Sequence, residues 1–151
     1  MTKIETKIET IIADAAETLS KVECLRELPV IEEDKGDVSK NLEAALAKTR
    51  FAVVVGWNGF APRIVGDTAP SGRPFGTATI AVSLFEKPVV NRTNASAPTI
   101  LAVAREVAVA LDNAGTDEME DLLHLKRITP ISELDRGVVS CDVEFETSAT
   151  L

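Results

Sequence analysis

The 151-residue chain has the length of one globular domain, and its composition, 45% hydrophobic and 26% charged, excludes a disordered segment. Its apolar runs fall well short of the roughly 20 residues that a membrane-spanning helix needs. A net charge of −8, without a cluster of lysine and arginine, argues against nucleic-acid binding as the main task.

The first third of the chain predicts two helices and two strands. Residues 2–20 place isoleucines and alanines on one stripe and charges elsewhere, the pattern of an amphipathic surface helix. Residues 24–32 predict a short strand, with Pro29 favouring a sheet edge. Residues 38–48 predict a second helix. Residues 50–57, RFAVVVGW, predict a central strand because the run is short, apolar and rich in β-branched side chains.

Residues 58–76 predict a long loop that contains four glycines and three prolines. A connection of this kind inside a compact domain is typical of binding loops, and it should join two antiparallel strands as a long hairpin. Trp57, the only tryptophan, and Phe60 flank its beginning. We expect them to pack the root of the loop, and the alternative is that they anchor a protein partner.

Residues 77–111 predict the centre of the fold. In TATIAVSLFE (residues 77–86), Ile80, Val82 and Leu84 fall on one face, which indicates a half-buried strand. Residues 98–111 repeat bulky apolar side chains at helical spacing after a proline suited to the first turn. The strand and the nearly all-apolar helix predict a core that the other segments cover.

The remaining residues predict two strands. The first is LLHLKRITPI (residues 122–131), in which Pro130 marks an end or an irregularity, and the second begins at Val139. The whole order predicts one α+β domain over residues 1–151. We expect a mostly antiparallel sheet of four to five strands, with about three helices packed mainly on one face. The acidic side of the last strand predicts that the other face is not covered.

Motifs for catalysis are missing from the sequence, which has no phosphate-binding glycine loop, nucleophile elbow or zinc-protease motif. His124, the single histidine, is interpreted as a tolerated surface residue. Asp142, Glu144 and Glu146 alternate along the last strand and could bind a hard cation or serve as an acid–base pair. We favour a solvated face, because nothing else closes such a site, and expect no enzyme activity, cofactor or metal.

Cys24 and Cys141 are far apart in sequence and lie in apolar surroundings. They predict buried free thiols, as in a reducing compartment. A disulfide would require the two segments to meet.

Three segments support a family resemblance. A strand, ATIAVSLFEK, leads through VVNRTNASAP into an apolar helix, TILAVAREVAVALDN. The leucine-rich strand LLHLKRITPI follows, and the chain then reads VVSCDVEFETSATL, with a Phe-Glu-Thr sequence typical of phage tail-assembly proteins. Ahead of these, VSKNLEAALAKT leads into RFAVVVGW. In order and length, nearly the whole chain resembles the tail terminator (tail completion) proteins of long-tailed bacteriophages and related prophage particles.

The resemblance implies a structural protein that forms a hexameric ring on the head-proximal end of the tail tube. The ring would stop tube elongation and provide the surface for head joining. Its implied partners are further copies of the chain, the tail tube protein and the head–tail connector protein. DNA would pass through the lumen without specific binding, and no membrane is involved. The implied location is the virion tail, after assembly in the host cytoplasm.

Two surfaces are expected to matter for that role. The loop surface, Trp57, Phe60, Arg63 and Arg73, is expected to contact the tube or another partner. The acidic row, Asp142, Glu144 and Glu146, is expected to face the lumen.

Three other interpretations remain open. The chain could be another neck component, such as a stopper or tube subunit, although three predicted helices argue against a tube subunit. It could be a small metal-dependent enzyme that uses the acidic strand, or a dimeric adaptor that uses the N-terminal helix.

Overall fold

The computed structural model describes residues 6–26, 28–34, 36–49, 51–62, 71–87, 99–115, 121–134 and 137–151. Arg63 and most of the predicted long loop therefore lie outside the described residues. Within these ranges the chain forms three α-helices and six strands, and the α+β class is confirmed. The elements are α1 (Ile8–Ser20), β1 (Val30–Glu32), α2 (Val38–Lys48), β2 (Phe51–Pro62), β3 (Phe75–Glu86), α3 (Ile100–Leu111), β4 (His124–Ile128), β5 (Ser132–Glu133) and β6 (Val139–Thr150), with a 3-10 turn at Glu23–Leu25. None of the described helices is long and apolar enough to cross a membrane.

The strands form one sheet in the order β1-β2-β3-β6-β4, and β5 also pairs with β6. β1 runs parallel to β2, whereas every other pair is antiparallel. The strand count is six where four to five were expected, because a further two-residue strand, beyond the segment predicted over 122–131, follows Pro130. β4 ends before that proline, and the two-residue β5 rejoins β6 after it.

The predicted hairpin is formed by β2 and β3, but its strands run further than expected. Pro62 lies opposite Gly76, so both ends of the segment predicted as loop belong to the ladder. The ladder continues past Trp57 because a bulge before Phe60 absorbs the irregular residues, and Gly59 there has a positive φ of 127°. Gly76 is required by space, since a Cβ atom would collide with the backbone of Ala61.

The main core lies between one face of the sheet and the helices α1 and α3. As predicted, Ile80, Val82 and Leu84 of β3 point to this face and are fully buried. The helices contribute stripes at i, i+3, i+4 spacing, and β2 and β6 supply the flanking rows. The largest fully buried side chains of this core include Ile11, Ile12, Leu19, Val53, Val55, Val103, Leu111 and Phe145.

The second face of the sheet is covered at one end by α2. Ala45 and Leu46 of this helix pack on Ala52 and Val138, while the Asp37 side chain caps the helix by accepting the Lys40 N–H at 3.1 Å. Two of the three helices thus share one face, as predicted, and α2 takes the other. The physical reason is that residues 51–56 of β2 are apolar and buried on both faces of the sheet, so helices must cover both faces there.

Candidate interaction surfaces

The three carboxylates of the acidic row lie on the sheet face opposite α1 and α3. The register places Asp142 beside Ser83, Glu144 beside Ala81 and Glu146 beside Thr79 on β3. Because these are alternate positions of both strands, the prediction that the row shares one face is confirmed.

The acidic row differs from the solvated face that the sequence suggested, because two of its members are paired with cations. Arg127 Nε lies 3.5 Å from Glu144 Oε2, and Lys126 Nζ lies 3.4 Å from Glu146 Oε1. Glu144 is only 9% exposed, and Asn58 donates to its other oxygen at 3.5 Å. The row therefore has a partly buried, neutralised centre.

A bulge in β4 explains why two consecutive cations reach this face. Leu125 lies opposite Phe145 and Arg127 lies opposite Glu144, so Lys126 is an extra residue between the paired positions. Strand alternation would have sent Lys126 and Arg127 to opposite faces, whereas a bulge turns both toward one. Sequence reasoning missed the pairs, and the adjacent Lys-Arg in an edge strand was the only available signal.

In the part of the chain that the structure describes, no group of three or more His, Cys, Asp or Glu side chains could hold a metal ion. The positive charges of Lys126 and Arg127 also repel a metal cation that approaches the acidic row.

The residues expected at the loop surface occupy different positions along the hairpin. Trp57 and Phe60 belong to β2 itself, on either side of its bulge. Phe60 packs partly buried against the main core, whereas Trp57 is 45% exposed and lines a small groove with Ile8 and Leu151. Arg73 is exposed beyond the Pro62–Gly76 end of the hairpin. The described residues do not bring Trp57 and Arg73 into one cluster.

Asp121 connects the start of β4 to the end of β6. Its carboxylate accepts the Leu122 N–H at 2.8 Å and the Ser148 hydroxyl at 3.2 Å, and His124 Nε2 lies 3.2 Å away. Burial raises the pKa of Asp121, but the hydrogen bonds from His124, Leu122 and Ser148 outweigh it, so its pKa lies below the ordinary value. His124 is exposed on an edge strand, in agreement with its predicted surface location.

Cys24 and Cys141 are both free, and Cys141 is buried while Cys24 is partly exposed. Burial raises the pKa of each thiol, with added repulsion from Asp142 at Cys141 and from Glu106 at Cys24. Both thiols are therefore protonated and poorly nucleophilic at neutral pH.

The outer edge of the sheet carries a surface that the sequence analysis missed. Five large aliphatic side chains in the β4–β5 segment are 39–49% exposed, and they recur at every third residue. We call them the edge row: Leu122, Leu125, Ile128, Ile131 and Leu134. A three-residue spacing fits neither strand alternation nor a helical stripe, so neither pattern singles it out from the sequence.

Comparison with known proteins gives one kind of match. No protein-family model matches the chain, and no curated protein does. The fold is similar to that of a chain in a solved structure described as the virion of the native gene transfer agent (GTA) particle. The TM-score is 0.56 at 12% sequence identity, over 93% of this chain and 95% of that chain. The likeness shows a common fold over nearly the full length of both chains.

Proposed function

We propose that the protein is a structural component of a phage-like virion and serves there as the tail terminator. The observation that carries the proposal is the fold shared, nearly end to end, with a chain of the gene transfer agent virion. In this role a ring of copies, a hexamer by the resemblance, caps the head-proximal end of the tail tube, stops its elongation and receives the head connector.

The charge and surfaces of the chain agree with such a role. A net charge of −8 disfavours adhesion of DNA that passes close by. The acidic row lies on the sheet face opposite α1 and α3, which α2 covers at one end, and two of its carboxylates are paired with Lys126 and Arg127. We assign the part of this face beyond α2 to the lumen. Trp57, Phe60, Arg63 and Arg73 remain our proposed contacts with the tube.

The experiment that tests the proposed function is inactivation of the gene in cells that produce the particle, followed by electron microscopy. We expect tubes of uncontrolled length that are not joined to heads, and restoration of normal particles by a plasmid copy. Tails of normal length joined to full heads would contradict any role in tail completion.

The same micrographs separate the neck alternatives. Tails of normal length that fail to join heads would indicate a stopper, and complete loss of tubes would indicate a tube subunit. Either result would replace the terminator assignment while leaving a virion component.

A further inference from the structure

We propose that copies of this chain join head to tail through the two opposite edges of the sheet. The edge row of one copy docks on the β1–α2 edge of the next copy. This inference rests on the proposed function, because it names the partner surfaces from which a ring would be built.

The donor surface is the edge row together with the backbone of β4. β4 lies at the end of the sheet, and all five of its residues are exposed. Edge strands in single-copy proteins are normally protected by charges that point outward. Here Lys126 and Arg127 lean onto the acidic row, and the aliphatic side chains are left exposed. An exposed apolar row on a sheet edge marks an interaction site.

The acceptor surface lies at the other end of the sheet. The Pro29 carbonyl accepts the Val53 N–H at 3.2 Å, and the Glu33 N–H donates to the Val55 carbonyl at 2.9 Å. Because backbone groups of successive strand residues point in opposite directions, those of Val30 and Glu32 face away from β2. Beside this edge lies an open groove of about 460 Å³ between β1 and α2. Its apolar lining comes from Leu28, Pro29, Ile31, Ala44 and Ala45. The edge therefore offers both a strand to extend and an apolar groove to fill.

Charge disfavours contact between the β4 edges of two copies. β4 carries Lys126 and Arg127, whose side chains remain 44% and 56% exposed. β1 and the turn after it carry Glu32, Glu33 and Asp34, whereas Arg26 and Lys48 line the groove beside β1. Pairing β4 with β4 would set cations against cations, whereas pairing β4 with β1 brings Lys126 and Arg127 to the carboxylates at the end of β1. The occupant that fits the edge row is therefore the β1 edge of a second copy.

Such a contact has a consequence for assembly. A contact between two different surfaces of the same chain is heterologous, and its repetition gives a ring where the rotation closes and an open filament where it does not. The proposed function requires the ring. A two-fold dimer would instead use one surface twice.

The test is light scattering of the purified full chain over a concentration series, with one variant for each surface. Ile128→Lys introduces a charge into the edge row, and Ala44→Lys introduces one into the acceptor groove. We expect the wild type to form a closed oligomer and each variant alone to stay a single copy. A mixture of the two variants should form a dimer, because one intact donor and one intact acceptor remain between them.

Controls keep the result interpretable. Val109→Lys, on a side chain 72% exposed on α3, should assemble as the wild type does. Ile131→Lys repeats the donor test outside the β4 ladder, in case Ile128→Lys perturbs folding, and circular dichroism checks each variant.

Three outcomes would overturn the inference. The first is a wild type that stays a single copy at its highest soluble concentration. The second is normal assembly of both donor variants, Ile128→Lys and Ile131→Lys. The third is normal assembly of the Ala44→Lys variant. None of them alters the tail phenotype of gene inactivation, so the two proposals fail independently.

Discussion

At the scale of the residue, Asp121 illustrates how a single carboxylate fixes an edge strand. It receives hydrogen bonds from residues on both β4 and β6, and these bonds are stronger to its ionised form. The pKa of Asp121 is lowered in the folded protein. A lowered pKa contributes stability that is present above the unfolded pKa and is lost as pH falls through the folded pKa.

Asp121→Asn should therefore destabilise the fold at pH 7, and the difference from wild type should shrink as pH falls below about 4. Urea unfolding at pH 7, 5, 4 and 3 measures it. Asp34→Asn removes the same charge from an exposed turn and controls for net charge. A wild-type advantage that stayed constant down to pH 3 would show that the hydrogen bonds do not depend on the charge of Asp121.

At the scale of the element, α3 contains two valines that differ in burial but share the same helix propensity. Thr99 caps the helix by accepting the Ala102 N–H at 3.2 Å. Val107 is fully buried against the sheet, whereas Val109, two residues later, is 72% exposed. The same substitution at these two positions changes propensity equally and burial very differently.

We expect Val107→Ala to lower the free energy of unfolding by about 2 kcal/mol, from lost apolar burial and the cavity left behind. Val109→Ala should be neutral, or stabilising by up to about 0.5 kcal/mol, because alanine favours helix more than valine does. Denaturant unfolding at a concentration where the protein is a single copy gives both values. Equal losses at the two sites would mean that α3 does not pack as described.

Elements with a regular period could be predicted from the sequence. The alternation of Ile80, Val82 and Leu84 and the helical spacing of α3 each specify a buried face locally, and the structure has both. β4 could not be predicted in the same way. Its bulge at Lys126 breaks the period of two, and it depends on pairing with β6 across a separate stretch of chain. The edge row and the Arg127–Glu144 pair were missed for that reason.

At the scale of the whole molecule, one sheet serves two apolar clusters on its opposite faces. Ala52 supports α2, and its neighbours Phe51 and Val53 belong to the main core. β6, the last strand in sequence, lies between β3 and β4, so β4 joins the rest of the sheet only through β6. Which face α2 covers is set by these long-range contacts, and the sequence of α2 does not specify it.

Because the two clusters share β2, unfolding should be one cooperative transition. The emission of Trp57, which lies in β2, should change with urea at the same midpoint as helix circular dichroism, within experimental error. An earlier Trp57 transition would show that the hairpin opens independently of the helices.

The bulge in β4 also limits how a neighbour could meet this edge. If β4 slipped by one residue along β6, its aliphatic side chains would move toward the acidic row and its cations toward the apolar core face. The two ion pairs, with Glu144 nearly withdrawn from water, would be lost in that slip. Alternative registers are thus energetically unfavourable. Every copy of the protein therefore exposes the same leucines and isoleucines at the same positions along this edge.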